Sequence, residues 1–277
     1  MRDANGDAPG LRPGRVEDHA DFVRLFGELG VEESPPPLDV WVSDLVKRSF
    51  FLDGPEGVAA YALVDVLGET GYVVNLVVAP EQRGKGLGRK VMRELAAWFR
   101  ARGCHEWMLY VKPDNEPALA LYGSVGMKAG RLETTWRLSR DHLEALPLAP
   151  EALEVLPMVE PDFAPLTQAF GLVPGKLARF ATLSTHRLRR LMDPEHPEVA
   201  GLGLMDVRPQ ARVLVPFYSA SPAHARALLE AAFLELGSAE ELRMVTGDVE
   251  LGSLLWEAGA RAVLRTLMMR GPLPDPQ

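Results

Sequence analysis

The chain has 277 residues, of which 47% are hydrophobic and 25% are charged, and its formal net charge is −8. These proportions are typical of soluble globular proteins, the length fits two domains, and no apolar run is long enough to span a membrane. The acidic charge argues against nucleic-acid binding as the main function. A single cysteine excludes an internal disulfide framework and favours a reducing, cytoplasmic location.

The opening part of the chain predicts a strand, two helices and a β-hairpin. A short strand at residues 11–13 leads into a helix over residues 16–29. A loop rich in glutamate and proline separates this helix from a second one at residues 40–48. Residues 50–52 and 58–66 then predict two strands joined by a turn of loop-forming residues. This order indicates a mixed α/β domain.

The most informative stretch of the sequence runs from Gly71 to Gly103. An apolar, β-branched run at residues 72–78 predicts a strand buried on both faces. A glycine-rich turn, residues 83–88 with the sequence RGKGLG, separates it from a helix with apolar residues at spacings of three and four. Because glycines permit positive φ, successive N–H groups of such a turn can converge on phosphate oxygens beside the helix N-terminus. The glycine spacing fits neither the Walker pattern nor the dinucleotide fingerprint.

Basic residues concentrate at this turn although the chain as a whole is acidic. The cluster comprises Arg83, Lys85, Arg89, Lys90 and Arg93. A basic patch at a glycine loop indicates a small anionic cofactor, whereas a solvated helix face is the simpler interpretation for Arg93.

Two motifs together resemble the GNAT acyltransferase family. The family's pyrophosphate loop, R/Q-x-x-G-x-G/A, corresponds to residues 83–88, and its strand pattern L-x-V-x-P corresponds to residues 76–80. After a predicted strand at residues 106–111, the segment from Asn115 through Tyr122 to Gly126-Met127 is similar to the family's N-x-x-A-x-x-L-Y-x-x-x-G-F/M pattern. A strand at residues 131–138 completes a GNAT-like α/β domain.

The resemblance implies acetyl transfer from acetyl-CoA to a primary amine. The backbone N–H groups of the glycine loop would hold the cofactor's pyrophosphate, and the N–H of Val78 on the central strand would stabilise the oxyanion. Tyr122 would protonate the departing thiolate, and Asn115 would contact the pantetheine arm or cap its helix. The cofactor-binding residues that the resemblance implies are Leu76, Val77, Val78, Arg83, Gly84, Lys85, Gly86, Leu87, Gly88, Arg89, Asn115 and Tyr122.

The general base and the acceptor pocket are less well defined. Asn75 lies where many relatives carry a glutamate and cannot act as a base; Glu69, Asp65, Glu106 or a residue of the second domain remain alternatives. The resemblance implies that the loop between the first two helices lines the acceptor pocket. Its glutamates, Glu32 and Glu33, are therefore either ligands for a cationic acceptor or part of a solvated loop.

The second half of the chain contains an internal repeat of the first. Residues 58–66 align with residues 199–207 with five of nine identical, and weaker matches occur before and after them in the same order. The repeat has lost the glycine loop, and Leu255 stands in the place of Tyr122. We therefore expect a GNAT domain over residues 1–140, a linker at residues 141–150, and a degenerate GNAT-like domain over residues 151–277.

These observations predict an N-acetyltransferase that acts on a small-molecule amine with acetyl-CoA as co-substrate. The alternative is a non-catalytic module that senses acyl-CoA or an amine. We expect no nucleic-acid or membrane partner and either a monomer or a homodimer. The histidine spacing and the single cysteine also predict that no metal is bound.

Overall fold

The computed structural model describes residues 10–32, 34–149, 152–237 and 240–275, and the chain divides into two compact units. The first unit consists of Met1–Ala129 and Met269–Gln277, and the second of Gly130–Met268. Among the described residues, no helix has both the length and the apolar character needed to cross a bilayer.

The elements from the start of the chain to Leu138 follow the predicted order closely. The strands are β1 (Arg12–Pro13), β2 (Ser49–Gly54), β3 (Gly57–Leu67), β4 (Thr70–Val78), β5 (Glu106–Val111) and β6 (Lys128–Leu138). The α-helices are α1 (His19–Phe26), α2 (Leu38–Ser43), α3 (Leu87–Arg100) and α4 (Glu116–Ser124). Short 3-10 helices extend α1 at both ends and follow α2, which explains why the sequence predicts longer helices there.

The first unit is a mixed sheet with helices on both faces. Strands β1 to β4 pair antiparallel in chain order, and β5 joins β4 in parallel. Side chains of successive strand residues point to opposite faces. The ring of Phe50 lies 5.2 Å from that of Trp98 on α3, whereas Phe51 lies 6.1 Å from Trp41 on α2. The helices α2 and α3 therefore cover opposite faces of the sheet.

The remaining elements repeat the order of the first ones. The strands are β7 (Glu154–Pro157), β8 (Arg187–Met192), β9 (Gly203–Arg208), β10 (Val213–Ser219), β11 (Leu242–Thr246) and β12 (Arg261–Pro272). The helices are α5 (Glu160–Ala169), α6 (Lys176–Ala181), α7 (Pro222–Glu235) and α8 (Val249–Glu257). The series strand, two helices, three strands, helix, strand, helix, strand thus occurs twice, which confirms the predicted tandem α/β fold.

The boundary of the units differs from the predicted one at residue 140. Most of β6 belongs to the second unit, because Thr134–Leu138 pair antiparallel with β11. Residues 269–277 belong instead to the first unit. The predicted linker contains a 3-10 helix at Arg140–Ala145, and both Leu143 and Leu146 are buried in the core of the second unit. Its two leucines give this segment a packing role that its composition does not suggest.

The central strand β4 is less buried than its apolar sequence predicts. Its first residues are enclosed between β3 and β5, but Val74, Asn75, Leu76 and Val78 are only half-buried. The prediction of a strand buried on both faces is therefore wrong for its second half. The reason is a local separation of two strands, which also creates the candidate site.

Candidate active site

The strands β4 and β5 separate in the middle of the first unit's sheet. Their parallel pairing runs from Thr70 opposite Glu106 to Val73 opposite Leu109, and within the described residues it ends there. Both strands continue further, β4 to Val78 and β5 to Val111. The register between β3 and β4 shifts at the same point, so that Val74 is the extra residue of a bulge. The result is a cleft between the carboxyl ends of two neighbouring strands.

Backbone N–H groups of β4 face this cleft. The N–H of Ala79 donates to the carbonyl of Ala59 on β3 at 2.9 Å. Because N–H groups alternate in direction along a strand, that of Val78 points away from β3 and toward the separated side. The same alternation gives Leu76 the same direction and directs Val77 toward β3. Of these predicted residues, Leu76 and Val78 thus offer donors to the cleft, whereas the side chain of Val77 is buried in the core under α1 and α2.

The glycine loop connects the cleft to the start of α3. Gly84 and Gly86 have φ values of 77° and 78°, a conformation that side chains disfavour. Gly86 is the N-cap of α3, and no side chain caps this helix, which leaves the N–H groups at its first turn open to a ligand. Leu87 is the first residue of the helix and is half-buried.

Gly88 is needed for a different reason, which is packing. A Cβ at this position would lie 2.9 Å from Cδ2 of Leu121 on α4 and 3.9 Å from Cγ2 of Val78. The start of α3, the end of β4 and the middle of α4 therefore meet at Gly88. This contact brings the loop, the strand edge and the helix that carries Tyr122 into one site.

The basic side chains of the loop differ in how they are held. Arg83 donates from Nε to the carbonyl of Val78 at 3.1 Å and from a terminal nitrogen to Glu28 at 2.8 Å. Lys85 donates to the amide oxygen of Gln82 at 3.1 Å, and Arg89 is exposed on the first turn of α3. Arg83 thus fixes the end of β4, while Lys85 and Arg89 lie at the surface beside the helix start.

Tyr122 and Asn115 occupy different environments on α4. Tyr122 is buried with 7% of its surface exposed, and burial raises the pKa of its hydroxyl to about 12. Asn115 is exposed and is the N-cap of α4, where its side-chain oxygen accepts from the N–H of Ala118 at 3.2 Å. The capping alternative for Asn115 is therefore observed, and Tyr122 is held protonated at neutral pH.

One ion pair and one hydrogen bond that the sequence does not suggest hold the end of the α1 segment at the cleft. Glu28 pairs with Arg83 after β4, and Lys112, directly after β5, donates to the carbonyl of Gly30 at 2.6 Å. Residues 28–30 are thus tied to the ends of both separated strands. The following loop contains Glu32, which is exposed, while Glu33 lies outside the described residues. The sequence signal for this arrangement is a basic residue after each separated strand, five positions beyond Val78 for Arg83 and directly after Val111 for Lys112.

Two of the three carboxylates considered as a general base, Asp65 and Glu106, lie at the other end of β4. Asp65 is opposite Tyr72 and pairs with Arg48, and Glu106 is opposite Thr70. Arg270 and, to a lesser degree, Thr70 hydrogen-bond Glu106 and hold its carboxyl pKa below the usual value. At about 3.3 Å per strand residue, Thr70 and Val78 are roughly 26 Å apart. Neither carboxylate is therefore placed to accept a proton near the glycine loop.

The residues present fit an elongated cofactor that carries a pyrophosphate and amide groups. The loop and the uncapped helix start suit the pyrophosphate, and the strand edge offers donors to a chain that enters the cleft. The corresponding helix of the second unit, α7, is different. Its N-cap is Ser221, whose hydroxyl accepts from the N–H of His224 at 3.3 Å, and its first residue is Pro222, which has no N–H. This helix start is a poor anion site.

Comparison with known sequences shows that part of the first unit is similar to acetyltransferases. Residues 20–127 match the family described as "Acetyltransferase (GNAT) family". The chain is 38% identical over 110 residues to the uncharacterized N-acetyltransferase YobR of Bacillus subtilis (strain 168), a match that covers 40% of this chain and 39% of that protein. It is 31% identical over 127 residues to streptothricin acetyltransferase of Streptomyces lavendulae, which covers 45% and 65%. The chain thus spans less than two thirds of the length of these relatives.

Comparison with solved structures extends over nearly the whole chain. A GCN5-related N-acetyltransferase from Sphaerobacter thermophilus superposes with a TM-score of 0.67 at 18% identity, with 96% of each chain covered. A tandem GNAT protein from the clavulanic acid biosynthesis pathway gives a TM-score of 0.63 at 15% identity, with 95% of this chain and 96% of that chain covered. At these identities the likeness shows the fold. Residues 20–127 are therefore similar to the GNAT acetyltransferase family, and the chain shares the fold of these solved structures.

Proposed function

We propose that this protein is an N-acetyltransferase that moves the acetyl group of acetyl-CoA directly to a primary amine of a small acceptor. The observation that carries the proposal is the convergence at Gly88 of an uncapped helix start, a separated strand edge and the tyrosine-bearing helix. Acetyl-CoA, when bound, supplies an activated thioester.

Binding would rest mainly on backbone groups. The backbone N–H of Arg83 is bonded to the carbonyl of Pro80 at 3.2 Å, so the proposed pyrophosphate donors are the N–H groups from Gly84 to Gly88, and the dipole of α3 attracts the charge. Lys85 and Arg89 add positive charge at the surface. Arg83 contributes less directly, since its guanidinium is engaged by Glu28 and Val78. The N–H of Leu76 is available for an amide carbonyl of the pantetheine arm.

The N–H of Val78 is the proposed donor to the carbonyl oxygen that becomes negative when the amine attacks. Arg83 holds the carbonyl of the same residue, which fixes the orientation of this part of the strand. A donor fixed before the reaction needs no reorganisation, and one such donor is worth roughly 3 kcal/mol in the transition state.

Tyr122 is the proposed acid that protonates the leaving thiolate. Its raised pKa keeps the proton on the hydroxyl throughout the neutral range, as an acid requires. The attacking amine must lose a proton, which at pH 7 costs about 4 to 5 kcal/mol for an alkylamine of ordinary pKa. The proposed acceptor side is the α1–α2 loop, since Glu28 and Lys112 hold its start beside the cleft and Glu32 can attract a cation.

The second unit is proposed to be a degenerate copy that does not bind CoA. The hydroxyl cap of Ser221 and the missing N–H of Pro222 support this, and so does the absence of a glycine loop from its sequence. Our proposed domains are a catalytic one within residues 1–140 and a degenerate one within residues 151–277. Most of β6 nevertheless belongs to the second compact unit, and residues 269–277 belong to the first.

The test is calorimetry with acetyl-CoA on the wild-type chain and on a Gly86→Glu, Gly88→Glu double variant. We expect one site per chain in the wild type and no binding in the variant, followed by turnover in a screen of small amines. Two sites per chain would contradict the degenerate second unit. Binding without turnover of any amine would favour the sensing module, and no binding would overturn the enzyme proposal.

A further inference from the structure

Residues 27–30 connect the two sides of the cleft in the first unit. They form a short 3-10 helix and its C-cap, Gly30. On one side, Glu28 pairs at 2.8 Å with Arg83, which follows β4. On the other side, the ammonium of Lys112, directly after β5, donates to the carbonyl of Gly30 at 2.6 Å. One short segment is thus fastened to the ends of both separated strands, and we call residues 27–30 the strap.

The contact between the strap and Lys112 depends on a glycine at position 30. Gly30 has a φ of 59°, in the left-handed region that favours glycine. A Cβ at this position would lie 3.2 Å from Nζ of Lys112, which is a tight contact. The preceding residue, Leu29, packs against the core under α1 and α2. The strap is therefore anchored by Leu29, and the ammonium of Lys112 reaches the carbonyl because no side chain is in its way.

Two tyrosines lie where β4 and β5 begin to separate. Within the described residues the pairing of the two strands ends at Val73 and Leu109; Tyr72 precedes the first of these and Tyr110 follows the second. The two tyrosine rings meet edge to face at 6.3 Å, and both residues are half-buried. Neither belongs to the core under α1 and α2. Because alternate residues of a strand share a face, Lys112 and Tyr110 lie on the same side of the sheet. The strap and the tyrosine rings are thus on one side of the cleft.

The separated parts of the two strands carry no acidic side chain. Residues 74–78 of β4 are Val, Asn, Leu, Val and Val, and residues 110–111 of β5 are Tyr and Val. An ammonium group placed against these strands would find no carboxylate on either of them, which is costly where water is partly excluded. Aromatic rings and aliphatic side chains instead bury an apolar chain favourably. The strands therefore suit an acceptor with a single amine and an apolar body.

We propose that the strap closes the acceptor side of the cleft, that Lys112 is the residue that positions it, and that the acceptor is a primary amine with a slender apolar body. This inference rests on the proposed acetyl transfer. In that reaction the amine nitrogen forms a bond to the acetyl carbon as the C–S bond breaks, and the proton that the nitrogen loses balances the one that the thiolate of CoA gains. Attack by water on the same carbon would give acetate and CoA. A closed strap favours the amine because it keeps water from the thioester.

The first test measures opening of the strap by hydrogen–deuterium exchange on the full chain without substrate. In Lys112→Met the amides of residues 27–30 should exchange several-fold faster, because the bond to the carbonyl of Gly30 is lost. Lys112→Arg keeps a donor and should restore slow exchange. Gly30→Ala disturbs the same contact from the strap and should act like Lys112→Met. The matched control is Lys47→Met, since Lys47 is exposed and also donates to a backbone carbonyl, that of Ser43, at 3.4 Å.

The second test measures turnover of n-hexylamine and 1,6-diaminohexane, which have the same carbon chain and differ by one amine. We expect a kcat/KM for n-hexylamine that is higher by about tenfold or more. Lys112→Met should raise the KM for n-hexylamine about five- to tenfold and leave kcat within about twofold, because a charge-assisted bond that places the strap is lost. It should also speed the hydrolysis of acetyl-CoA when no amine is present. The dissociation constant for acetyl-CoA should stay within about twofold, which would show that the first unit is folded.

Three outcomes would overturn the proposal. Unchanged exchange in Lys112→Met would show that this residue does not hold the strap. Faster exchange with an unchanged KM and unchanged hydrolysis would leave Lys112 a local structural role only. A preference of the wild type for 1,6-diaminohexane would reject the apolar acceptor. If the wild type binds acetyl-CoA but acetylates no amine, the proposed function fails and the acceptor assignment with it, whereas exchange and hydrolysis still decide separately whether Lys112 closes the strap.

Discussion

At the scale of single residues, the glycines of the loop serve two different purposes. Gly84 and Gly86 adopt positive φ with open space around them, whereas Gly88 has an ordinary conformation in a crowded position. A substitution at Gly86 therefore strains the backbone, and one at Gly88 displaces Leu121 of α4. The sequence motif shows three equivalent glycines, and only the structure separates these purposes.

Gly86→Ala should abolish or strongly weaken acetyl-CoA binding. Alanine at a φ of 78° costs about 1–2 kcal/mol in the folded state, so the loop should abandon its conformation or the chain should lose stability. The matched control is Gly103→Ala, which follows the other end of α3 with a φ of 77° and equally open space. Thermal unfolding should show a similar decrease in melting temperature for both variants. Calorimetry should show a loss of acetyl-CoA binding for Gly86→Ala alone. If both variants bound acetyl-CoA equally well, the glycine loop would not be part of the cofactor site.

Tyr122→Phe should lower kcat about 10²- to 10⁴-fold with little change in the dissociation constant for acetyl-CoA, because only the proton donor is lost. Since the pKa of Tyr122 is raised to about 12, wild-type kcat should show no decline from this group between pH 7 and 10. Tyr61→Phe removes another buried hydroxyl from the same unit and is the control. A Tyr122→Phe enzyme with unchanged kcat would show that the tyrosine is a packing residue.

At the scale of elements, the sequence predicts the strands and helices of the first unit well but not the separation of β4 and β5. The run from Tyr72 to Val78 is almost uniformly apolar, and nothing in it shows that pairing with β5 stops at Val73. The bulge at Val74 and the contact of Glu28 with Arg83, 55 positions apart, depend on neighbours that are distant in sequence. The motifs therefore indicate which residues surround the site, whereas tertiary contacts determine how they meet.

Glu28→Gln should increase the affinity for acetyl-CoA about two- to five-fold at low salt. The carboxylate neutralises Arg83 beside the proposed pyrophosphate position, and its removal makes the local potential more positive. Both side chains are largely exposed, so stability should change by less than about 1 kcal/mol. The gain should shrink as ionic strength rises, and Glu250→Gln on α8 should show none. Weaker binding by Glu28→Gln would mean that the position of Arg83 matters more than its charge.

At the scale of the whole molecule, the last described residues complete the first unit. Arg270 binds Glu106 of β5, Leu273 donates to the carbonyl of His105 at 2.9 Å, and Arg100 donates to the carbonyl of Pro274. The sequence could not predict that residues 269–277 pack with the first unit, because the internal repeat suggests two halves that each end with their own last strand.

Arg270→Met should destabilise the first unit, and the loss of stability compared with wild type should be larger at neutral pH than at acid pH. The hydrogen bond from Arg270 lowers the carboxyl pKa of Glu106 from its usual value of 4.5. The contact between Arg270 and Glu106 therefore stabilises the folded state fully above pH 4.5. This stabilisation is lost as the pH falls through the lowered pKa of the folded state. The difference in melting temperature between wild type and variant should therefore be largest at pH 7 and smallest near pH 3. Arg265→Met, an exposed residue of the same strand, should show no such dependence. A difference that stays constant with pH would exclude the ion pair as its cause.

The return of residues 269–277 to the first unit has a consequence for biosynthesis. A ribosome adds roughly 5–20 residues per second, so the 139 residues between Ala129 and Met269 take roughly 7–28 s to make. During that interval the edge of β5 lacks the chain segment that later bonds to His105 and Glu106. The nascent first unit therefore has an open strand edge, to which other unpaired strands can bind, until residues 269–275 have been synthesised.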